Sequence, residues 1–280
     1  MKLVRYGPKG QEKPGLVGDD GTIRDLSGEV RDIAGEVLSE AGLKHLASLD
    51  IASLPVVDGT PRLGSPVAGL QKIVAIGLNY SDHAAETGAE PPEEPIVFMK
   101  ALNALSGPND DVEMPRNSSA LDWEVELAII IGTKAKYVSK ENALAHVAGY
   151  AVMNDVSERD FQTKRSGQWT KGKSHDTFGP LGPWLVTKDE IGDVHDLAME
   201  LDVNGQARQR GNTNTLIFDV PTVVSYLSQF MTLMPGDVIT TGTPPGVGMG
   251  MKPPQYLKVG DTMRLSIAGL GEQTQTVVSA

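Results

Sequence analysis

The chain has 280 residues, 40% of them hydrophobic, with no cysteine and a formal net charge of -11. Zero cysteine excludes disulfides, thiolate nucleophiles and cysteine-type zinc sites, and the negative balance argues against nucleic acid or an anionic membrane as partner. The length allows one large core or a main domain with a small appendage. With 31 Gly, 18 Pro and few long amphipathic patterns, strands and turns should dominate.

Taken in order, Lys2 to Tyr6 reads as a strand. The opening residues lack the long apolar core of a signal peptide, no run approaches bilayer-spanning length, and the expected location is cytoplasmic. Gly15-Leu16-Val17 and Thr22-Ile23-Arg24 flank Asp19-Asp20-Gly21, a hairpin signal. Val37, Leu38, Leu43, Leu46 and Leu49 have helix-like spacing. The breakers from Asp58 to Pro66 read as a linker, dividing a small N-terminal unit, 1–65, from a main unit, 66–280.

After the linker, Lys72 to Leu78 is a short buried strand that runs into a helical turn, Asn79 to Glu86. Thr87 to Pro95 is polar and full of breakers, a candidate mobile loop. Ile96 to Lys100 is another strand, and Ser139 opens a helix as a cap-like residue. Ala148 to Met153 is a strand ending at Asn154-Asp155, with a helix start at Ser157 to Gln162. Met199 to Val203 and Gln206 to Arg210 form a hairpin about Asn204-Gly205. Val220 to Phe230 is a helix with Pro221 in its first turn. Strands at Val238 to Thr240 and within Leu257 to Ile267 follow turns at Pro235-Gly236-Asp237 and Val259-Gly260-Asp261. Many short strands and few helices make a mixed-β, α+β architecture.

The stretch from Asp122 to Gly132 carries the strongest chemical signal. Leu127 to Ile131 is an unbroken apolar strand, and Glu124 and Glu126 point to one face of it because side chains alternate. Two neighbouring carboxylates in an apolar strand lose hydration and repel each other, so a positive group must sit between them: a divalent metal ion, or a lysine or arginine. Asp155, at the end of an apolar strand, is either a helix cap for the turn at Ser157 or a third carboxylate. Three carboxylates favour a hard cation such as Mg2+ or Mn2+, with positions left for water or substrate.

His83 and Glu86 are three residues apart and share a helical face. Glu86 would orient the imidazole as a general base, or the two form a solvated surface pair. Lys173 is either a buried stabiliser of an enolate or a surface lysine. Arg159 and Gln162 share a face that can grip a substrate carboxylate. Lys100, closing its strand, and Thr243, in the glycine-rich turn Thr240 to Gly248, are further candidate substrate contacts. That turn lacks the lysine of a phosphate loop, and no Gly-x-Ser-x-Gly elbow is present.

The ordered set Gly77-Leu78-Asn79-Tyr80, His83-Ala84-Ala85-Glu86, Glu124-Val125-Glu126, Asn154-Asp155-Val156-Ser157-Glu158-Arg159-Asp160, Gln162 and Lys171-Gly172-Lys173-Ser174 with Asp176 is one part of a resemblance. Val203-Asn204-Gly205, Pro235-Gly236-Asp237 and Thr241-Gly242-Thr243-Pro244 complete it. Together they resemble the fumarylacetoacetate hydrolase family over roughly Ile73 to Gly269. The resemblance implies a mixed β-roll with a smaller N-terminal domain, a homodimer, Mg2+ or Mn2+ on Glu124, Glu126 and Asp155, and a base dyad of His83 and Glu86 on a closing segment. It implies Lys173, Gln162 and Arg159 as substrate contacts, while His175 stands where many relatives carry an aromatic residue. Family members cleave C–C bonds in dioxo acids, decarboxylate oxaloacetate or isomerise related acids, and some are labelled ureidoglycolate lyases. The opening segment looks most like hydrolases of 2,4-diketo-3-deoxy sugar acids of the L-rhamnonate or L-fuconate type, which give pyruvate and a hydroxy acid such as lactate.

Overall fold

The computed structural model of the chain describes residues 1–88 and 90–280. Ala89, within the loop expected to be mobile, lies outside the described residues. Two sheets dominate. The larger has ten strands, nine of them on one path. From one edge the path runs Ile23–Asp25, Lys13–Val17, Lys2–Tyr6, Gly179–Thr187, Val147–Asn154, Val125–Ile131, Val238–Thr240, Ile73–Gly77 and Ile96–Lys100. The second has five strands, with Gln206–Asn212, Ala198–Val203, Thr262–Ile267 and Gly271–Ser279 antiparallel and Val112–Met114 parallel at its edge. The mixed-β, α+β expectation holds. Among the described residues no helix is long and apolar enough to cross a membrane.

Val125–Ile131 is buried at every residue because both faces of its sheet are covered. Val125, Leu127, Ile129 and Ile131 enter one core with the second sheet and the helix Val220–Phe230. Ala128 and Ile130 enter the other core, with Leu3, Leu16, Leu26, Leu38 and Leu46 of the N-terminal segment. An unbroken apolar run is what a strand covered on both faces requires. The first 65 residues continue the large sheet, because Lys2 and Leu3 pair with Val186 and Leu185. The N-terminal segment and the main body thus share one sheet.

Three local expectations differ from the structure, the first being the helix start at Ser157: Ser157–Glu158 is a short strand paired with Leu121–Asp122, and the helix begins at Arg159. The helix expected from Val37 to Leu49 is a 3-10 turn, Gly35–Leu38, followed by the helix Glu40–Ala47. Ser39 between them is extended, and its hydroxyl accepts from Gly42 N at 3.1 Å, so it caps the second helix. Ser139 precedes a 3-10 helix, Lys140–His146, and its side chain caps no backbone amide. The Asn204-Gly205 turn has φ of 51° and 72°, the left-handed pair that a two-residue hairpin demands.

Candidate active site

The three carboxylates meet through strand register. Val147–Asn154 pairs antiparallel with Val125–Ile131, with Asn154 opposite Val125 and Met153 opposite Glu126. The ladder runs one step further, since Asp155 N donates to Glu124 O at 2.9 Å. Asp155 therefore lies beside Glu124, with Glu126 two residues along on the same face. Glu124, Glu126 and Asp155 are all buried, and one oxygen from each lies within 4.8 Å of the others. The helix-cap reading of Asp155 falls: the helix Arg159–Thr163 is capped by Glu158, which accepts from Phe161 N at 2.6 Å.

Cations approach from three elements. Lys100 ends its strand with its ammonium 2.5 Å from Asp155 Oδ1, so it lies behind that carboxylate. Lys173 Nζ bridges Glu124 Oε2 at 2.7 Å and Asp155 Oδ2 at 2.8 Å. It reaches this depth because Gly172 lets the short helix Thr170–Lys173 lie against Arg159–Thr163. A Cβ there would stand 2.4 Å from Glu158 O and 2.5 Å from Gln162 N. Arg159 Nη2 lies 2.7 Å from Glu124 Oε1 but off the N–H direction, so a buried guanidinium donor is left without a well-aligned acceptor. Arg159 Nε donates to Asp122 and Nη1 to the Gln162 side chain.

Four carboxylates, those of Asp122, Glu124, Glu126 and Asp155, thus face three cations, Lys100, Arg159 and Lys173. The surplus falls on Glu126, whose Oε2 accepts from the Thr240 hydroxyl and from Gly242 N at 2.9 Å, both neutral donors. Burial, with Asp155 and Glu124 nearby, pushes the Glu126 carboxyl well above the usual carboxylate range. Burial acts the same way on Glu124, but Lys173 and Arg159 outweigh it and hold that carboxyl far below its ordinary value. Against the effect of burial, Asp155 and Glu124 raise the Lys173 ammonium. An oxygen-only set of three converging carboxyl groups suits a divalent ion, which would favour the ionised form of Glu126. The three carboxylates can hold one.

His83 and Glu86 sit on the helix Ser81–Thr87, which follows the strand Ile73–Gly77. Asn79 anchors this junction, donating to Phe218 O and Thr241 O and accepting from Phe218 N. His83 is buried, and its Nδ1 lies 3.1 Å from Glu86 Oε2. Glu86 in turn accepts from Gly246 N at 3.1 and 3.2 Å. His83 is thus held in the buried wall of the site, while Glu86 reaches it from an exposed position. A cavity of about 260 Å³ is lined by His83, Glu124, Glu126, Arg159, Gln162 and Lys173. Its remaining wall is largely apolar: Ile76, Leu78, Phe98, Trp169 and Met249. Phe98 and Trp169 meet edge to face, centroids 5.3 Å apart.

Thr243 also lines the cavity, but its hydroxyl donates to Val125 O and accepts from Gln209 Nε2. The amides of the glycine-rich turn likewise serve the protein's own carboxylates. Gly242 N binds Glu126, Gly246 N binds Glu86, and Gly248 N and Met249 N bind Asp122. Sequence reading missed Asp122 and the aromatic wall; the only available signal for Asp122 was its two-residue offset from Glu124.

Residues 72–278 match the model of the fumarylacetoacetate hydrolase C-terminal domain. A protein of Burkholderia ambifaria, named as a candidate hydrolase with no substrate given, is 57% identical over 281 residues, 100% of each chain. The fumarylacetoacetate hydrolase from psychrophilic Exiguobacterium antarcticum is similar with TM-score 0.89 and 38% identity, covering 100% of both chains. The maleylpyruvate hydrolase from Sphingobium sp. SYK-6, solved with manganese(II) and pyruvate, gives 0.83 and 31%, again over 100% of both.

Proposed function

The chain belongs to the fumarylacetoacetate hydrolase family, and on that premise we propose that it is a hydrolase that cleaves the C3–C4 bond of a 2,4-dioxo acid and releases pyruvate, with Mg2+ or Mn2+ on Glu124, Glu126 and Asp155. The observation that carries this reading is one cavity lined both by the oriented base His83 and by Glu124 and Glu126 with Lys173 and Arg159. A divalent ion held by Glu124, Glu126 and Asp155 would supply Lewis-acid chemistry to the keto-acid end of the substrate. Arg159, with its poorly aligned buried donor, receives the substrate carboxylate together with Gln162. His83, held by Glu86, takes a proton from a water molecule whose oxygen adds to the C4 carbonyl carbon. The tetrahedral adduct then collapses, the C3–C4 pair moves to C3, and the C4 fragment leaves as a carboxylic acid. Lys173 faces the enolate charge that develops on the other fragment. Protonation at C3 completes pyruvate.

For the group beyond C4, a sugar acid needs hydroxyl recognition, for which the segment after Tyr80 offers Ser81, Asp82, Thr87 and Glu90. Ser81 donates to Thr215 O, and Asp82 accepts from the Thr215 hydroxyl and His83 N, so both hold the helix in place. The apolar wall of Phe98, Trp169 and Met249 supports a second reading, an acyl or unsaturated tail as in acylpyruvates and fumarylpyruvate. Pyruvate release should require Mg2+ or Mn2+. The kcat/KM of acetylpyruvate and fumarylpyruvate against that of a 2,4-diketo-3-deoxy sugar acid decides the tail. A tenfold preference for the sugar acid would restore the first reading. His83→Ala should lower dioxo-acid hydrolysis by roughly 100-fold or more and oxaloacetate decarboxylation far less. Equal losses would remove His83 as the activator of water.

A further inference from the structure

The proposed chemistry requires two parts in fixed relation: the His83–Glu86 dyad, and Arg159 against Glu124. Asp122 touches the supports of both. It is fully buried, two residues before Glu124. Its Oδ1 accepts from Trp123 N at 2.9 Å and from Gly248 N at 2.7 Å. Its Oδ2 accepts from Met249 N at 3.0 Å and from Arg159 Nε at 2.8 Å. The segment from Gly246 to Met249 is therefore bound to Asp122 at one end and, through Gly246 N, to Glu86 at the other. Trp123 secures the same segment from another direction, its Nε1 donating to Gly246 O at 3.1 Å. The approach is tight: a Cβ on Gly248 would stand 2.7 Å from Asp122 Oδ1 and 1.9 Å from Gln255 O.

We infer that Asp122 is a positioning residue that sets the base dyad and Arg159 relative to each other through the Gly246–Met249 segment. This rests on the dioxo-acid reading of the cavity. Asp122 itself contacts four N–H donors and does not line the cavity wall among the described residues, so it acts through its partners. A purely structural aspartate could hold the same four donors, and the two roles separate by experiment.

Asp122→Asn preserves volume, yet either orientation of the amide sets its NH2 group against two N–H donors. Four measurements apply: Mn2+ affinity by calorimetry, pyruvate affinity of the Mn2+-loaded protein, kinetics on acetylpyruvate, and amide exchange over residues 244–251. The expected result is Mn2+ affinity within about threefold of wild type, with kcat and pyruvate affinity each reduced roughly 10- to 100-fold, the scale of a lost charge-assisted hydrogen bond. Exchange should quicken at Gly246, Gly248 and Met249 and stay unchanged elsewhere. Trp123→Phe loosens the same segment without touching Arg159, so kcat should fall while pyruvate affinity holds. This second variant also decides the matter if Asp122→Asn does not fold. The inference is overturned if Asp122→Asn changes kcat and pyruvate affinity by less than about threefold, or if Trp123→Phe weakens pyruvate as much as it lowers kcat. Should wild type release no pyruvate from any dioxo acid, the hydrolase reading fails, and exchange with pyruvate affinity still decides the role of Asp122.

Discussion

Two buried polar layers flank the start of the strand Val125–Ile131, and they are built on opposite plans. One is neutral. Gln209 accepts from Val125 N and donates to Thr243 Oγ1 and Pro244 O. Asn154 accepts from Glu124 N and donates to Gln275 Oε1. Gln275 donates to Gln273 Oε1 and Pro108 O, and Gln273 donates to Val152 O and Gly182 O. Each amide oxygen has a donor and each NH2 two acceptors, apart from the weak sulfur contact of Asn154. The other layer is charged, and among the described residues its surplus carboxyl, Glu126, is hydrogen-bonded only by neutral donors. A saturated neutral network joins two sheets and has no capacity left. A charged cluster with a surplus is costly alone, and that surplus is what makes it a receptor for a cation.

The largest test converts one plan into the other. Glu126→Gln removes the surplus charge and keeps an acceptor for Thr240 and Gly242 N. Mn2+ affinity should fall about 100-fold or more, beyond the ~10- to 100-fold of an outer partner, while Tm stays level or rises, as relief of a strained site permits. Calorimetry and thermal unfolding read both. Retained affinity would mean that Glu126 is no ligand and that the two layers differ only in composition.

The converse change strikes the neutral layer. Gln273→Leu removes the side-chain donors to Val152 O and Gly182 O and leaves one Gln275 N–H without its acceptor. At ~1–3 kcal/mol for the unsatisfied Gln275 N–H and ~0.5–1.5 kcal/mol for each of the two lost hydrogen bonds, partly relieved by relaxation, about 2–4 kcal/mol of stability should be lost. Mn2+ affinity should remain within about threefold. Urea unfolding at constant m-value measures the first. A stable variant that cannot bind metal would show that the amide layer belongs to the site.

How much of this contrast was legible in the sequence depends on its range. Glu124 and Glu126 announce themselves because two charges in an apolar strand break a local pattern, and Asn204-Gly205 because only certain residues take that turn. The hairpins and the helix Val220–Phe230, capped by Asp219, follow from the same short-range rules. The cross-strand register that sets Asp155 beside Glu124 is non-local, so spacing alone left the helix-cap alternative open. Gln209, Gln273 and Gln275 sit in strands whose alternation reads polar-out, yet all are buried, because the second sheet lies against the first. Asp122 was invisible for a related reason: its partners Arg159, Gly248 and Met249 are 37 to 127 residues away. Ser81 and Asp82 looked available to a substrate until Thr215 claimed both.

A half-buried ion pair that belongs to neither layer supplies the control for charge without a site. Arg62 binds Asp110 through Nε at 2.7 Å and Nη2 at 2.5 Å, and also Glu12 through Nη1 at 2.9 Å. It thus joins the N-terminal segment to the main body. Burial raises the Asp110 carboxyl, but the Arg62 guanidinium and Gly107 N hold it below its ordinary value overall. A depressed folded-state value means that the stabilisation is full above the unfolded carboxylate value of about 3.9 and is lost as pH falls through the lower folded value. Asp110→Asn should therefore cost at most about 1 kcal/mol at pH 7, given the partial solvent exposure. The gap between wild type and variant should close below about pH 4 and narrow in ~1 M salt, where screening is strong. Mn2+ affinity should not move at all. Denaturant curves at several pH values follow the gap, and one that widens toward low pH would mean that Asp110 is raised, not depressed, in the folded chain.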